Sequence, residues 1–285
     1  MKRTFSLGSE WLYYKIYCGV KTADFILTDN LKEKIEFLIE NQLISKWFFI
    51  RYNDPDSHIR LRFKISTPEN LGLVIQHIQE ILTPLQEENL IWKIQTDTYA
   101  REIERYGATT YEISESIFQA DSELILDYIS LKPHFENETT SILFSFLAVD
   151  QFLNLFLLSK EEKMKLLDRW QSSFKTEFQA DKNLKKEFDK NYRNIEKELD
   201  ALLSFQKTDT LAPIYDVILL KNEKIKDYIP EIKTHLEIDL SSFLSSHVHM
   251  MLNRQFTSRQ REYELLIYDH LYRYYKRCLF MKKKE

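Results

Sequence analysis

The sequence predicts an α+β fold: an N-terminal ferredoxin-like β-α-β-β-α-β unit over residues 1–110, packed against a larger helical region over residues 111–285. Three observations predict it. The first hundred residues alternate aromatic and β-branched runs with segments of helical periodicity. Beyond about Thr110 the pattern is helical and stays so. Between them, Trp47 to Phe63 (W-F-F-I-R-Y-N-D-P-D-S-H-I-R-L-R-F) reads as two strands about a tight polar turn.

The elements follow in order. Trp11 to Cys18 is aromatic and β-branched, a strand. Thr22 to Asn41 places Phe25, Ile26, Leu31, Ile35, Leu38 and Ile39 near helical spacing. The hairpin pairs Lys46 to Tyr52 with His58 to Ile65. Pro68 suits the first position of a second helix capped by Thr67 and running to about Gln86. Ile91 to about Tyr99 is a fourth strand, whose Ile91, Lys93, Gln95, Asp97, Tyr99 and Arg101 share one side; register decides whether it is the Arg60 side. Ser116 to Ile129, Ser141 to Leu158, Ser159 to Phe178 and Asp181 to Phe205 are helices, and Ser159-Lys-Glu-Glu162 has the form of a capping box. Leu211 to Leu236 is bounded by Pro213 and Pro230. Asp239 caps a helix to about Asn253, and Ser258 to Lys283 is a long last helix. No repeat or Pro/Gly/Ser-rich linker separates the halves, so they are expected to act as one unit.

Composition excludes several functions. Net charge is −4 and well mixed, against a general nucleic-acid surface and direct nucleic-acid binding. Four glycines, Gly8, Gly19, Gly72 and Gly107, assemble no phosphate-cradling loop, so no cofactor is expected. Cys18 and Cys278 form neither a metal nor a redox spacing. The start, MKRTFSLGSEW, has no apolar run after its basic residues, so no signal peptide is indicated, and with no disulfide framework a reducing cytoplasm is expected. The apolar run Ile142 to Leu158 is broken by Asp150, Gln151 and Asn154, which reads as a buried helix and not a membrane span.

Strand alternation separates Ile59, Leu61 and Phe63 from His58, Arg60 and Arg62. A sheet face with two arginines and a histidine in a row suits a carboxylate, although a basic solvated face has the same pattern. Leu240 to Asn253 contains no Lys, Arg, Asp or Glu. Its Ser242, Ser245, Ser246, His249 and Asn253 fall on one side, which fits a polar cleft wall; a hydrogen-bonded structural histidine is the plainer alternative. His247 and His249 are two apart on a helix and point to different sides, so no metal site is expected. Tyr99 to Gly107 carries Arg101 and Arg105 among Glu102 and Glu104, a pattern that surface ion pairs also produce.

Taken together, W-F-F-I-R-Y-x-D-P-x-x-H-I-R-L-R-F, T-Y-x-R-E-x-x-R-Y-G, F-x-x-D-S at Phe118 to Ser122 and H-M-x-x-N-R at His249 to Arg254 resemble a known family. It is the glutamate-elimination domain that ends class I lanthipeptide (lantibiotic) dehydratases, with the related stand-alone thiopeptide-type bacteriocin biosynthesis proteins. The resemblance covers essentially the whole chain. Ala108 stands where the family often has a second glycine, and the large glutamylation domain is absent, which implies one half of a split dehydratase. A glutamylating partner would load glutamate from glutamyl-tRNA onto Ser or Thr of a precursor peptide. This chain, a lyase, would then eliminate glutamate to leave dehydroalanine or dehydrobutyrine, and a lanthipeptide cyclase could act next. By motif match Arg60, Arg62, Arg101 and His249 would be catalytic, with His249 the candidate base because histidine titrates near neutral pH. Arg51, His58, Tyr99, Arg105, Asn253 and Arg254 would bind substrate. Two other readings share the fold or the motifs: a pyridine synthase joining two dehydroalanines, and a non-catalytic peptide-binding subunit.

Overall fold

A computed structural model of the chain describes residues 1–135, 139–205 and 211–282. Thr4–Phe5 (β1) and Trp11–Cys18 (β2) lead into Val20–Phe25 (α1), a π-helical stretch at Ile26–Leu31, and Lys32–Glu40 (α2). Ile44–Asn53 (β3) and Ser57–Ile65 (β4) form the hairpin, followed by Leu71–Glu87 (α3), Ile91–Thr96 (β5), Tyr99–Ala100 (β6) and Ile103–Tyr106 (α4). Then come Tyr111–Leu131 (α5), Thr139–Leu155 (α6), Lys160–Glu177 (α7), Lys182–Leu203 (α8) and Ala212–Ile225 (α9). Ile229–His235 (α10), Leu240–Gln255 (α11) and Gln260–Lys282 (α12) complete the chain; residue 283, the expected end of the last helix, lies outside the described residues.

The main sheet has the order β3-β4-β2-β5, every pair antiparallel, which is the ferredoxin-like arrangement with β4 central. Ile59, Leu61 and Phe63 share a face with their cross-strand partners Ile16, Phe49 and Leu12, all fully buried. Each contributes about 1.5–3 kcal/mol on burial. Helices α1, α2 and α3 pack against β4, β3 and β5. The Val74, Ile78, Leu82, Leu85 row of α3 is buried at one-turn spacing. The other face, carrying Arg60 and Arg62, meets α5, where Phe118 lies 5.3 Å from the Phe48 ring. The free edge of β3 is closed by side chains. Phe49 N–H donates to Ser122 Oγ (3.2 Å) and Arg51 N–H to Asn253 Oδ1 (3.1 Å).

Several expectations change. The fourth strand stops at Thr96, because the Asp97 carboxylate accepts the Thr98 N–H (2.7 Å) and pairs with Lys15. Tyr99–Ala100 pairs instead with Thr4–Phe5. A register shift at Tyr17/Cys18 puts Lys93 and Gln95 on the Arg60 face and leaves Ile91 buried, so these three do not share a side. Thr67 precedes a 3₁₀ turn at Pro68–Asn70 without a side-chain cap. The helix expected from Ser116 begins at Tyr111, its first turn held where Ser114 Oγ donates to the Thr110 carbonyl (3.1 Å). Ser159 does form a capping box with Glu162, and Asp181 and Asp239 cap α8 and α11.

The chain forms two compact units that do not follow a boundary at 110/111. One is Met1–Ser130 with Pro230–Ser258, the other Leu131–Ile229 with Arg259–Glu285. The reason is physical: α5 and α11 pack on the sheet rather than with the other helices. In the helical unit, Asp150 is buried and bonded by Lys163 Nζ (2.7 Å) and by Tyr275 Oη, which explains a charge inside the apolar α6. Among the described residues no helix is long and apolar enough to cross a membrane.

His270 gives this unit a pH dependence. Its ring is buried, stacked on Phe146 and edge-on to Phe188 and Tyr192, with Nδ1 3.3 Å from Asp269 Oδ2. Asp269 also pairs with Lys175 and Arg273. Burial holds the imidazole pKa down despite Asp269, so the folded ring stays neutral while the unfolded one takes up a proton below about pH 6.5. The unfolded state then binds more protons, so stability present at pH 7 is lost as pH falls below about 6.5. Melting scans from pH 7.5 to 5 are expected to show a decline that is shallower in His270→Phe.

Candidate active site

The site lies within the first unit, on the Arg62 face of the sheet. Strand β4 carries Arg62 between Tyr13 on β2 and Phe48 on β3, its two cross-strand partners. The guanidinium carbon is 4.3 Å from the Tyr13 ring centre, 5.2 Å from Phe48 and 5.1 Å from Tyr99. Arg62 is only 8% exposed, and its Nε is buried without a hydrogen-bond partner. Among the described residues it has no ion-pair partner. A desolvated cation caged by rings and left without an ion pair carries an unmet electrostatic demand.

Arg62 lines a small cleft of about 50 Å³. Phe48 and Ile50 of β3 form one wall, Tyr99, Ala100, Glu102 and Tyr106 a second, Tyr111 and Phe118 of α5 a third, and Met250 and Arg254 of α11 the last. Arg254 is wholly buried. Its Nε donates to Ser122 Oγ (3.2 Å) and Nη1 to the Met250 carbonyl (2.8 Å), while Nη2 has no partner. Burial pushes its pKa down to about 10, against the pull of Asp121, so it remains charged at neutral pH. Two arginines with unsatisfied nitrogens therefore face one cleft. An anion with a planar, multidentate head, such as a carboxylate, is the complementary ligand.

The other expected site residues have different surroundings. Arg101 is 2% exposed and forms a bidentate pair with the fully buried Glu115, Nε to Oε1 and Nη2 to Oε2, both 2.7 Å. Burial works against its charge, but the Glu115 bonds outweigh that and raise its pKa. Its guanidinium does not line the cleft, although its neighbours Tyr99, Ala100 and Glu102 do. Arg60 stands outside the lining, stacked 3.4 Å over Tyr52, with Nε donating to His58 Nε2 (3.1 Å). His58 Nδ1 donates to the Asp56 carbonyl (2.8 Å), and burial lowers the ring's pKa, so His58 is a neutral brace for Arg60. Arg51 pairs with Asp24 (2.5 Å) and donates to the Arg254 carbonyl (2.7 Å), which with Asn253 ties α11 to β3. Arg105 is exposed and paired with Glu102. His249 is half-buried on α11, next to Met250 but not in the lining. His247 is the buried histidine, its Nε2 3.2 Å from Ser114 Oγ among Tyr106, Phe118 and Phe243.

Sequence reasoning missed Tyr106, Tyr111, Glu115 and the bracing role of Ser122. The signal was present: Tyr111, Glu115, Phe118 and Ser122 recur at three- and four-residue steps, one stripe of α5. It was hidden because the helix was expected to start after Glu115.

The fold and cleft define a ferredoxin-like α+β protein with two buried arginines lining one cleft. The family described as Lantibiotic biosynthesis dehydratase C-term matches residues 11–275, and the chain belongs to that family. Subtilin biosynthesis protein SpaB of Bacillus subtilis is 29% identical over 266 residues, 90% of this chain and 25% of SpaB. This chain thus spans about a quarter of that relative's length. The tRNA dependent lantibiotic dehydratase MibB from Microbispora sp. 107891 has a similar structure, with a TM-score of 0.76 at 19% identity over 98% of this chain and 29% of MibB. TbtD, a pyridine synthase from thiomuracin biosynthesis, gives a TM-score of 0.67 at 12% identity over 94% of this chain and 99% of TbtD. These two likenesses show a common fold.

Proposed function

We propose that this chain catalyses the glutamate-elimination step of lanthipeptide dehydration, converting glutamylated Ser or Thr of a precursor peptide to dehydroalanine or dehydrobutyrine. It would work after a glutamylating activity that draws on glutamyl-tRNA and before a cyclase. The carrying observation is the caged Arg62, without an ion-pair partner among the described residues, beside Arg254 in one cleft. The glutamyl group esterified to the peptide has a free side-chain carboxylate, and its departure generates a second carboxylate. Arg62 and Arg254 are the groups that would receive this charge. A base must also remove the Cα proton, whose weak acidity demands charge stabilisation close by.

Pyridine synthesis on the same fold releases no glutamate and gives two desolvated guanidinium groups no carboxylate to hold. A peptide-binding subunit has no need of a buried unpaired cation, which costs stability.

The test is mass spectrometry of precursor peptide glutamylated by the partner enzyme, incubated with and without purified protein. The expected products are dehydrated peptide and one free glutamate per site. A peptide that keeps its glutamyl groups excludes elimination. Ring formation from an already dehydrated peptide would assign the cycloaddition instead, and binding without conversion the scaffold.

A further inference from the structure

Tyr111 is the cleft residue whose hydrogen has nowhere to go. Tyr111 lines the cleft and is 2% exposed. A hydroxyl has one hydrogen to give and two lone pairs to accept with. The Glu102 N–H donates to Tyr111 Oη at 3.0 Å. The neighbouring Tyr99 has a better use for its own hydrogen, Glu115 Oε1 at 3.1 Å, the oxygen that also pairs with Arg101. The two phenol oxygens are 3.4 Å apart, beyond the roughly 2.5–3.0 Å of an ordinary O–H···O bond. The Tyr111 hydrogen therefore has no close acceptor among the described residues. Burial raises the phenol's pKa, so the hydrogen stays in place at neutral pH.

A buried donor left unmet is costly unless something fills it. The elimination supplies such an acceptor. A base takes the Cα proton, and the C–H electron pair becomes the Cα=Cβ bond. As it does so, negative charge builds on the carbonyl oxygen of the residue being modified. The Cβ–O bond breaks, its pair leaves on the glutamate carboxylate, and the base returns its proton to water. Guanidinium groups suit the carboxylate, which is charged throughout. A neutral, preorganised hydroxyl suits an oxygen charged only in the transition state.

Resting on the elimination reading, we infer that Tyr111 is a catalytic residue that donates its hydrogen bond to the enolate-like carbonyl oxygen, held in place by the Glu102 N–H and by Arg101 packed 5.4 Å from its ring. Arg101, consumed by its pair with Glu115, then supports Tyr111 from behind.

The experiment compares wild type with Tyr111→Phe, using the full chain and a synthetic peptide bearing a glutamyl-serine ester. Single-turnover release of glutamate is measured, together with affinity for the same peptide carrying an amide in place of the ester, which binds but cannot eliminate. Tyr111→Phe is expected to slow release by about 10²–10³-fold, while amide-peptide affinity stays within about threefold. That split marks a group that acts only in the transition state, and retained binding shows that the variant is folded. Full-rate release by Tyr111→Phe overturns the inference alone, as does an equal loss of rate and binding. A wild-type protein that binds both peptides and releases no glutamate overturns the elimination reading and the inference together.

Discussion

Arg101→Ala is expected to lower the melting temperature by about 10 °C. Arg101 and Glu115 are both essentially inaccessible, and their two 2.7 Å bonds satisfy each other. Removing one member of a buried pair costs roughly 3–5 kcal/mol, because the survivor is left charged and desolvated. At about 2–4 °C per kcal/mol for a unit of this size, the shift is readily measured by calorimetry. Glu115 would keep only the Tyr99 hydroxyl. Glu115→Gln is expected to do similar damage from the other side, stranding the guanidinium with the Lys2 carbonyl (3.2 Å) and a long contact to Glu112 (3.5 Å). If Arg101→Ala melts within a degree of wild type yet abolishes elimination, the pair is not structural and Arg101 belongs with the substrate contacts.

How far the sequence alone reached is clearest at β4. Alternation predicted which of its residues would be buried against helices and which would face a site, because a period of two leaves no choice once one face is apolar. The same logic failed on β5, where one bulge at Tyr17/Cys18 exchanged the faces. The motifs include Arg62, Tyr99 and Arg254, which line one cleft, but do not distinguish the surroundings of the residues they name. Arg60, Arg62 and Arg101 look equivalent as letters. In space one is stacked on Tyr52, one is caged and unpaired, and one is consumed by Glu115. That distinction depends on which carboxylate lies within bonding distance, and spacing along the chain carries no information about it. Glu115 was legible only to someone who already knew that α5 begins at Tyr111.

Arg62 should show the opposite behaviour to Arg101. Arg62→Met, which roughly keeps the side-chain volume, is expected to melt at or above the wild-type temperature while losing most of the elimination activity. The stability argument sets two terms against each other. The variant gives up contacts of the cation with three rings, each worth on the order of 0.5–2 kcal/mol. It also removes a desolvated charge with an orphaned Nε and a repulsion from Arg254, where the effective penalty is several kcal/mol per buried ion. The balance is near zero or favourable. For activity, truncating one partner of a desolvated charge pair costs about 2–5 kcal/mol, which is roughly 30- to several-thousand-fold in rate or affinity. Arg62→Lys should recover little, since an ammonium cannot span both carboxylate oxygens or stack among three rings. Calorimetry with glutamate-release assays on the same preparations checks both halves. A large drop in melting temperature for Arg62→Met would mean that its cation helps to hold the fold. Unimpaired glutamate release would mean that the leaving carboxylate is gripped elsewhere. A stable but inactive variant identifies Arg62 as a charge whose partner arrives only with the substrate.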